Sequence, residues 1–195
     1  MEDRGVVALA DLDWPARTAR LLLRPLRLDD LEATWAYRRL EEVGRWLSRA
    51  PATLDEHRAT FGDPESLARS LVIEAGGQVV GDLMVAVGDA WAQVEVADQA
   101  KGVEAELGWV LHPEVTGRGY AAEAVRELPW ICFEDLGLRR VTAGCFVANE
   151  ASWRLMERVG VRRELHTIRE SLHRSGEWLE GFGYALLADE WRAAR

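Results

Sequence analysis

The chain has 195 residues, 48% of them hydrophobic, which suits one domain with a single sizeable core. Its 24 basic and 33 acidic residues leave a net charge of −9, a balance that disfavours generic phosphate-backbone binding and mildly favours cationic partners such as amines. No apolar run approaches the roughly 18 residues that span a bilayer. The N-terminal Met1-Glu-Asp-Arg-Gly5 lacks a signal peptide's basic and apolar regions, and Cys132 and Cys145 make neither a metal spacing nor a disulfide framework. A cytoplasmic protein with reduced thiols and no metal is expected.

In chain order, residues 1–16 read as a loose N-terminal arm containing Trp14-Pro15, with a single domain over 17–195 after it. Leu21-Leu22-Leu23 reads as a buried strand, with Asp29 or Asp30 able to cap the next helix. Leu31, Trp35, Leu40, Val43 and Trp46-Leu47 have helical spacing, predicting a helix from Leu31 to about Leu47. Pro51 and Thr53 open a second helical region, with Gly62-Asp63-Pro64 as a break inside it. Leu71 to Ala75, the turn Gly76-Gly77, and Val79 to Val87 predict a β-hairpin. Alternation at Val94-Glu95-Val96 and the apolar run Glu106 to Leu111 extend the sheet. A helix from Gly119 to Leu136 ends near Gly137. A strand at Arg140–Val147, a helix at Glu150–Val159 ended by Gly160, and two closing strands complete an α+β order with a mixed, mostly antiparallel central sheet.

Between the run ending at Leu111 and the helix opening at Tyr120 lies Pro113-Glu-Val-Thr-Gly-Arg-Gly-Tyr-Ala121. A strand, a glycine turn and a helix start gather backbone N–H groups around one point, where the helix N-terminus carries unpaired donors and partial positive charge. Gly117 and Gly119 allow positive φ and close approach of a phosphate, and Arg118 adds a cation. No Gly-Lys-Ser/Thr comes after them, which disfavours a nucleotide-hydrolysing P-loop.

With Glu106-Leu-Gly-Trp-Val-Leu111 running into it, this stretch resembles the GNAT superfamily of acetyl-CoA-dependent N-acetyltransferases, most closely the RimJ/RimL type acting on ribosomal-protein N-termini. Three further blocks agree in order: Thr18 to Asp30 with the opening strand and helix cap, Asn149-Glu-Ala-Ser152 with an "N-x-x-S" motif, and Gly176-Glu-Trp178 with Tyr184-Ala-Leu186 for the closing hairpin. The resemblance spans roughly Arg17 to Trp191. It implies a GNAT fold whose sheet splays at the acetyl-CoA site and is flanked by helices. The pantetheine arm would pair with Trp109, Val110 and Leu111 as an added strand. The pyrophosphate would sit on N–H groups from Thr116, Gly117, Arg118, Gly119, Tyr120 and Ala121. Thr116 stands where the superfamily usually has Gln or Arg. Asn149 would cap the next helix and bond the pantetheine.

Ser152 is expected near the sulfur. Many relatives carry a Tyr four residues further on as proton donor; Met156 stands there, leaving Ser152 as the donor available. The amine must lose a proton before it attacks, and Glu106, sharing a strand face with Glu104, is the first choice of base, with Glu170 the second. Trp35 and Trp46 fall in the segment resembling the substrate-covering helices. His57 and His112 are weaker candidates. Most of the nine Trp, including Trp130 and Trp153, read as core.

The resulting expectation is an N-acetyltransferase moving acetyl from acetyl-CoA, its co-substrate, to a primary amine in a ternary complex, with no cysteine intermediate. The acceptor is a protein or peptide N-terminus or a small-molecule amine. The partner set contains no nucleic acid and no membrane, and a homodimer is left open. The alternative is a catalytically silent acyl-CoA-binding module.

Overall fold

A computed structural model describes residues 7–195. Its eight strands are β1 (Ala16–Arg17), β2 (Leu22–Pro25), β3 (Ser70–Ala75), β4 (Gln78–Gly88), β5 (Glu104–Leu111), β6 (Arg140–Phe146), β7 (Arg162–Leu172) and β8 (Trp178–Leu187). They form one sheet in the order β1-β2-β3-β4-β5-β6-β8-β7. Every neighbouring pair is antiparallel except β5 and β6, which run parallel. Among the described residues seven α-helices complete the fold: α1 (Leu31–Arg38), α2 (Glu41–Gly44), α3 (Leu54–Phe61), α4 (Pro64–Ala68), α5 (Tyr120–Trp130), α6 (Glu150–Arg158) and α7 (Ala188–Ala193). Among the described residues, no helix is long and apolar enough to cross a membrane.

The period-two alternation of the strands sorts the layers. Leu83 and Val85 of β4, Leu107 of β5, Val141 and Ala143 of β6, and Tyr184 and Leu186 of β8 form one core with Ala122, Val125 and Leu128 of α5 and Leu155 and Met156 of α6. Burying a residue such as Val125 or Leu128 here contributes about 1.5–3 kcal/mol. The opposite face carries α1, α3 and α4 over Val72, Leu26 and Leu31. Asp82 points to this second face, where Tyr37 Oη donates to it at 2.6 Å and Arg38 pairs with it at 2.5 Å. The β3–β4 hairpin turns through Gly76 and Gly77 at φ +58° and +79°, as its sequence predicts.

Several expectations are corrected. The helix expected from Leu31 to Leu47 stops at Arg38; Leu40 is extended and α2 adds a single short turn. No glycine or proline marks this break. Asp30 does not cap α1 with its side chain: its carboxylate accepts the Arg27 N–H at 2.8 Å and pairs with Arg24 at 2.7 Å. Val94-Glu95-Val96 is not a strand but part of a 3-10 turn over Val94–Ala100, with Val94 84% exposed. Pro129 has no N–H for Val125's carbonyl, and α5 ends at Trp130, continuing as a π turn over Ile131–Asp135.

Residues 1–6 of the expected arm lie outside the described residues. Residues 7–16 are not loose: Leu9 is buried, and the Trp14 indole N–H donates to its carbonyl at 2.8 Å. Trp130 is 43% exposed rather than core, stacked edge-on against Trp191, whereas Trp153 does pack on the core.

Candidate active site

The β5–β6 ladder holds only three pairs, Glu104↔Arg140, Ala105↔Val141 and Glu106↔Thr142. Beyond them, Leu107–Leu111 stays paired to β4 on its far side, and Ala143–Phe146 to β8. The two inner edges therefore open away from each other, a splay of the expected kind, and leave backbone donors and acceptors at Trp109, Val110 and Leu111 for an extended ligand.

At the mouth of this opening, Pro113–Val115 make a 3-10 turn, and Gly117 and Gly119 both adopt φ +80°, with Gly119 standing before the first residue of α5. Left-handed backbone at both positions needs glycine. The Thr116 N–H is spent on Pro113's carbonyl at 3.0 Å, and that of Arg118 leans on Val115's at 3.4 Å. Among the described residues the N–H groups of Gly117, Gly119, Tyr120 and Ala121 form no intramolecular hydrogen bond. Thr116 to Gly119 are exposed. Four free donors at a helix N-terminus fit a diphosphate, so the loop suits the pyrophosphate of CoA, with Thr116 contributing less than the sequence implies.

An unforeseen brace sits behind the loop. Glu123, in the first turn of α5, accepts from Thr18 Oγ1 at 2.6 Å, the Arg20 N–H at 2.7 Å and Arg20 Nε at 2.7 Å. Burial opposes the Glu123 charge, yet the hydrogen bonds from Thr18 and Arg20 hold its carboxyl below its ordinary value.

Glu106 occupies the last rung before the strands part. Alternation puts it on the α1 side of the sheet, with Thr142 and Gly144. Glu104, on the same face, is tied to Arg139 at 2.5 Å and Arg140 at 3.4 Å. Glu106 is exposed and, among the described residues, forms no hydrogen bond or ion pair. The two glutamates on this face thus differ: Glu104 is neutralised, and Glu106, the first choice from the sequence, is free at the fork among the described residues.

On that same side lies a cavity of about 820 Å³, lined among others by Trp46, Gly144, Phe146, Glu170, His173 and Arg174. Two of the three expected substrate-side residues, Trp46 and Glu170, therefore meet here. Trp35 does not line the cavity: it stacks under Arg39, 5.0 Å from ring centroid to guanidinium, and its buried indole N–H has no partner among the described residues. Glu170 lies in an irregular stretch of β7, where the register shifts between Thr167 and Ser171 and Arg169 takes φ +49°. The wall over the cavity is the segment Arg45–Ser48. His173 Nε2 donates to the Arg45 carbonyl at 2.8 Å, Arg174 donates to that of Leu47 at 2.5 Å, and the Trp46 ring lies 6.1 Å from His173 and 6.3 Å from Phe146. Phe146, His173 and Arg174 carried no local signal: only the pairing of β6, β8 and β7 brings them under residues 45–48.

Asn149 precedes α6 but makes no side-chain cap: its backbone carbonyl accepts the Ser152 N–H at 3.1 Å, and its side-chain amide has no hydrogen bond among the described residues. Ser152 is half-buried beside Cys145. Burial pushes the Cys145 thiol up to about 11, with a hydrogen bond from Ser152 pulling the other way. Burial likewise pushes Cys132 up to about 12. Both thiols stay protonated at neutral pH, which makes them poor nucleophiles. Met156 is fully buried in the core, and its thioether has no proton to donate. The two weaker histidines are structural: His57 is buried against Thr34 at 2.9 Å, and His112 Nδ1 accepts the Glu114 N–H at 3.2 Å.

Comparison with known proteins agrees with this geometry. The acetyltransferase (GNAT) domain family matches residues 20–162. Relatives in Bacillus subtilis (strain 168) include the uncharacterised N-acetyltransferase YnaD, 35% identical over 44% of this chain and only half of YnaD's own length. Another is the provisionally named ribosomal N-acetyltransferase YdaF, 30% identical over 80% of this chain and 83% of YdaF. Among solved structures, a GNAT-family acetyltransferase from Bacillus anthracis superposes with TM-score 0.76 at 27% identity, covering 91% of this chain and all of its own. Mycobacterium smegmatis RimJ in complex with CoA-disulfide gives 0.69 at 23%, covering 87% and 83%. Spermidine N-acetyltransferase from Vibrio cholerae with CoA and spermine gives 0.72 at 17%, covering 90% and 99%; these last two likenesses speak to the fold. The chain belongs to the GNAT acetyltransferase family and is an acetyl-CoA-dependent acetyltransferase.

Proposed function

We propose that the protein acetylates a primary amine by direct attack within a ternary complex, the acceptor being a peptide α-amino group or a small-molecule amine held in the cavity under Trp46. The observation that carries this reading is the three-rung ladder that opens just past Glu106, with free loop amides beyond its open edges and the cavity on the Glu106 face. Acetyl-CoA, when bound, supplies an activated thioester. The inner edge of β5 at Trp109–Leu111 and the Asn149 amide hold the pantetheine, and the amides of Gly117, Gly119, Tyr120 and Ala121 hold the pyrophosphate.

Glu106 takes the proton of the attacking amine, directly or through water, because it alone of the paired strand glutamates is free to accept one. Glu170, on the cavity wall, attracts the protonated amine as it arrives. The new N–C bond forms as the C–S bond breaks, and the Ser152 hydroxyl is the available proton source for the departing sulfur. The high thiol pKa values support direct transfer over an acyl-cysteine route.

Thiol release from acetyl-CoA should be screened against N-terminal peptides, polyamines and aminosugars. Turnover with one class identifies the acceptor. CoA binding by calorimetry with no thiol release across the whole panel would convert the protein into a silent acyl-CoA-binding module.

A further inference from the structure

We propose that Arg20 is a positioning residue for cofactor binding, aiming the Gly119 N–H at the pyrophosphate from behind the loop. The inference rests on the reading that residues 117–121 hold that group. Arg20 Nη1 donates to the carbonyl of Arg118 at 2.8 Å. In a trans peptide the C=O and the following N–H point in opposite directions. Holding the Arg118 carbonyl toward β2 therefore turns the Gly119 N–H outward. Apart from the Arg20 contact, the peptide before Gly119 makes no hydrogen bond among the described residues; the glycines on either side sit at φ +80°, and the helix bonds begin only with Glu123 donating to Gly119's carbonyl.

The guanidinium that does this holding is itself locked. Its Nε and Nη2 grip Glu123 Oε2 at 2.7 and 2.6 Å, its own backbone N–H donates to Oε1 at 2.7 Å, and Thr18 Oγ1 donates to Oε1 at 2.6 Å. The side chain lies over the Tyr120 ring at 4.8 Å, and Nη2 lies 3.3 Å from where a Gly119 Cβ would be. One arginine thus couples the chain entering β2 to both the last loop peptide and the first turn of α5. A preset donor costs nothing to orient when the anion arrives, whereas a free peptide must be ordered first.

The test is calorimetric binding of CoA and of 3′-dephospho-CoA, together with steady-state turnover of acetyl-CoA and acetyl-pantetheine, on the wild type, Arg20→Gln, Arg20→Lys and Glu123→Gln. The expected result is a rise of about tenfold in both dissociation constants for Arg20→Gln, which is about 1.4 kcal/mol. Acetyl-pantetheine, which has no pyrophosphate, should turn over as in the wild type. Arg20→Lys should not restore binding, because one ammonium cannot hold Glu123 and the Arg118 carbonyl together. Glu123→Gln should weaken CoA in the same pattern, since it releases the guanidinium without removing it. Unchanged CoA affinity in folded Arg20→Gln overturns the proposal. So does full rescue by Lys, which would mean charge alone, or a loss confined to CoA and absent for dephospho-CoA, which would mean a direct contact to the 3′-phosphate. If the wild type binds pantetheine as tightly as CoA, the loop reading itself fails, and that result is separate from the others.

Discussion

His57 offers the most quantitative perturbation. Its ring, on α3, is fully buried against α1; Thr34's one hydroxyl hydrogen serves the Leu31 carbonyl at 3.1 Å, so Nε2 carries the ring proton toward Thr34 while Nδ1 has no partner among the described residues. Burial, and secondarily the nearby Arg38 cation, push its pKa from 6.5 down to about 4, against a smaller opposing pull from Asp82. A base whose folded pKa is depressed is favoured neutral, so its contribution is intact above the unfolded value and is lost as pH falls from about 6.5 to about 4.

Between pH 8 and pH 5 the unfolded state gains a proton that the folded state refuses. The cost is about 1.36 kcal/mol per pKa unit over about 1.5 units, or about 2 kcal/mol. Urea unfolding of the wild type and of His57→Leu at pH 8, 6.5 and 5 isolates this from the carboxylates, which titrate in both. The wild type should lose about 2 kcal/mol more than the variant across that interval. Parallel pH dependences, or a His57 ring titrating near 6.5 by NMR, would refute the reasoning.

Three further outcomes concern the site. Gly144→Val places a Cβ 3.7 Å from the Phe182 carbonyl, an ordinary contact, and extends into the cavity; acceptor kcat/KM should fall about tenfold or more with CoA affinity unchanged, and an unaffected acceptor would move the amine site elsewhere. Glu106→Gln should lower kcat/KM by roughly 10²-fold while Glu104→Gln, whose loss only frees Arg139 and Arg140, stays near normal; equal effects would remove the distinction between them. Ser152→Ala should lower kcat moderately, at or below the low end of the roughly 10²–10⁴-fold range of acid catalysis, with CoA affinity kept; weaker binding at constant kcat would make Ser152 a binding residue.

Much of the fold was legible because its signals are local. Gly76-Gly77 between apolar runs, Thr53 opening a helical region that breaks at Gly62-Asp63-Pro64, and the Gly-rich turn before Tyr120 each act within a few residues. Thr53 accepts the Glu56 N–H and Asp63 that of Ser66, as their types dictate. The features that were missed depend on partners distant in sequence. The apolar spacing past Arg38 continues, but Tyr37 and Arg38 are drawn to Asp82 on β4, and α1 ends there. Val94 and Val96 alternate like a strand, yet no sheet edge takes them, and they stand in solvent. In the site, residue types pointed to the loop and to Glu106, and the ion pairs of Glu104 with Arg139 and Arg140, which no local pattern shows, add a physical reason for the choice. Arg20 meets Glu123 across 103 residues, a pairing no local pattern could disclose.

The single parallel pair explains why these parts converge. A parallel neighbour cannot be reached by a tight turn, so β5 must leave the sheet, and α5 carries the chain back to the start of β6. That crossover sets the N-terminus of α5 beyond the carboxyl end of β5, the end at which the ladder has already lapsed after Glu106. Unpaired strand edges and unpaired helix donors therefore face the same region, the first suited to an extended diamide and the second to a diphosphate. Zipping β5 and β6 to their full length would satisfy the edges and close the site. The edges stay apart because each is held from its other side, by β4 over Leu107–Leu111 and by β8 over Ala143–Phe146. The stability of the outer pairings is what keeps the inner donors available, so a substitution that breaks β6–β8 ladder bonds beyond Ala143 should disturb cofactor binding before it unfolds the domain.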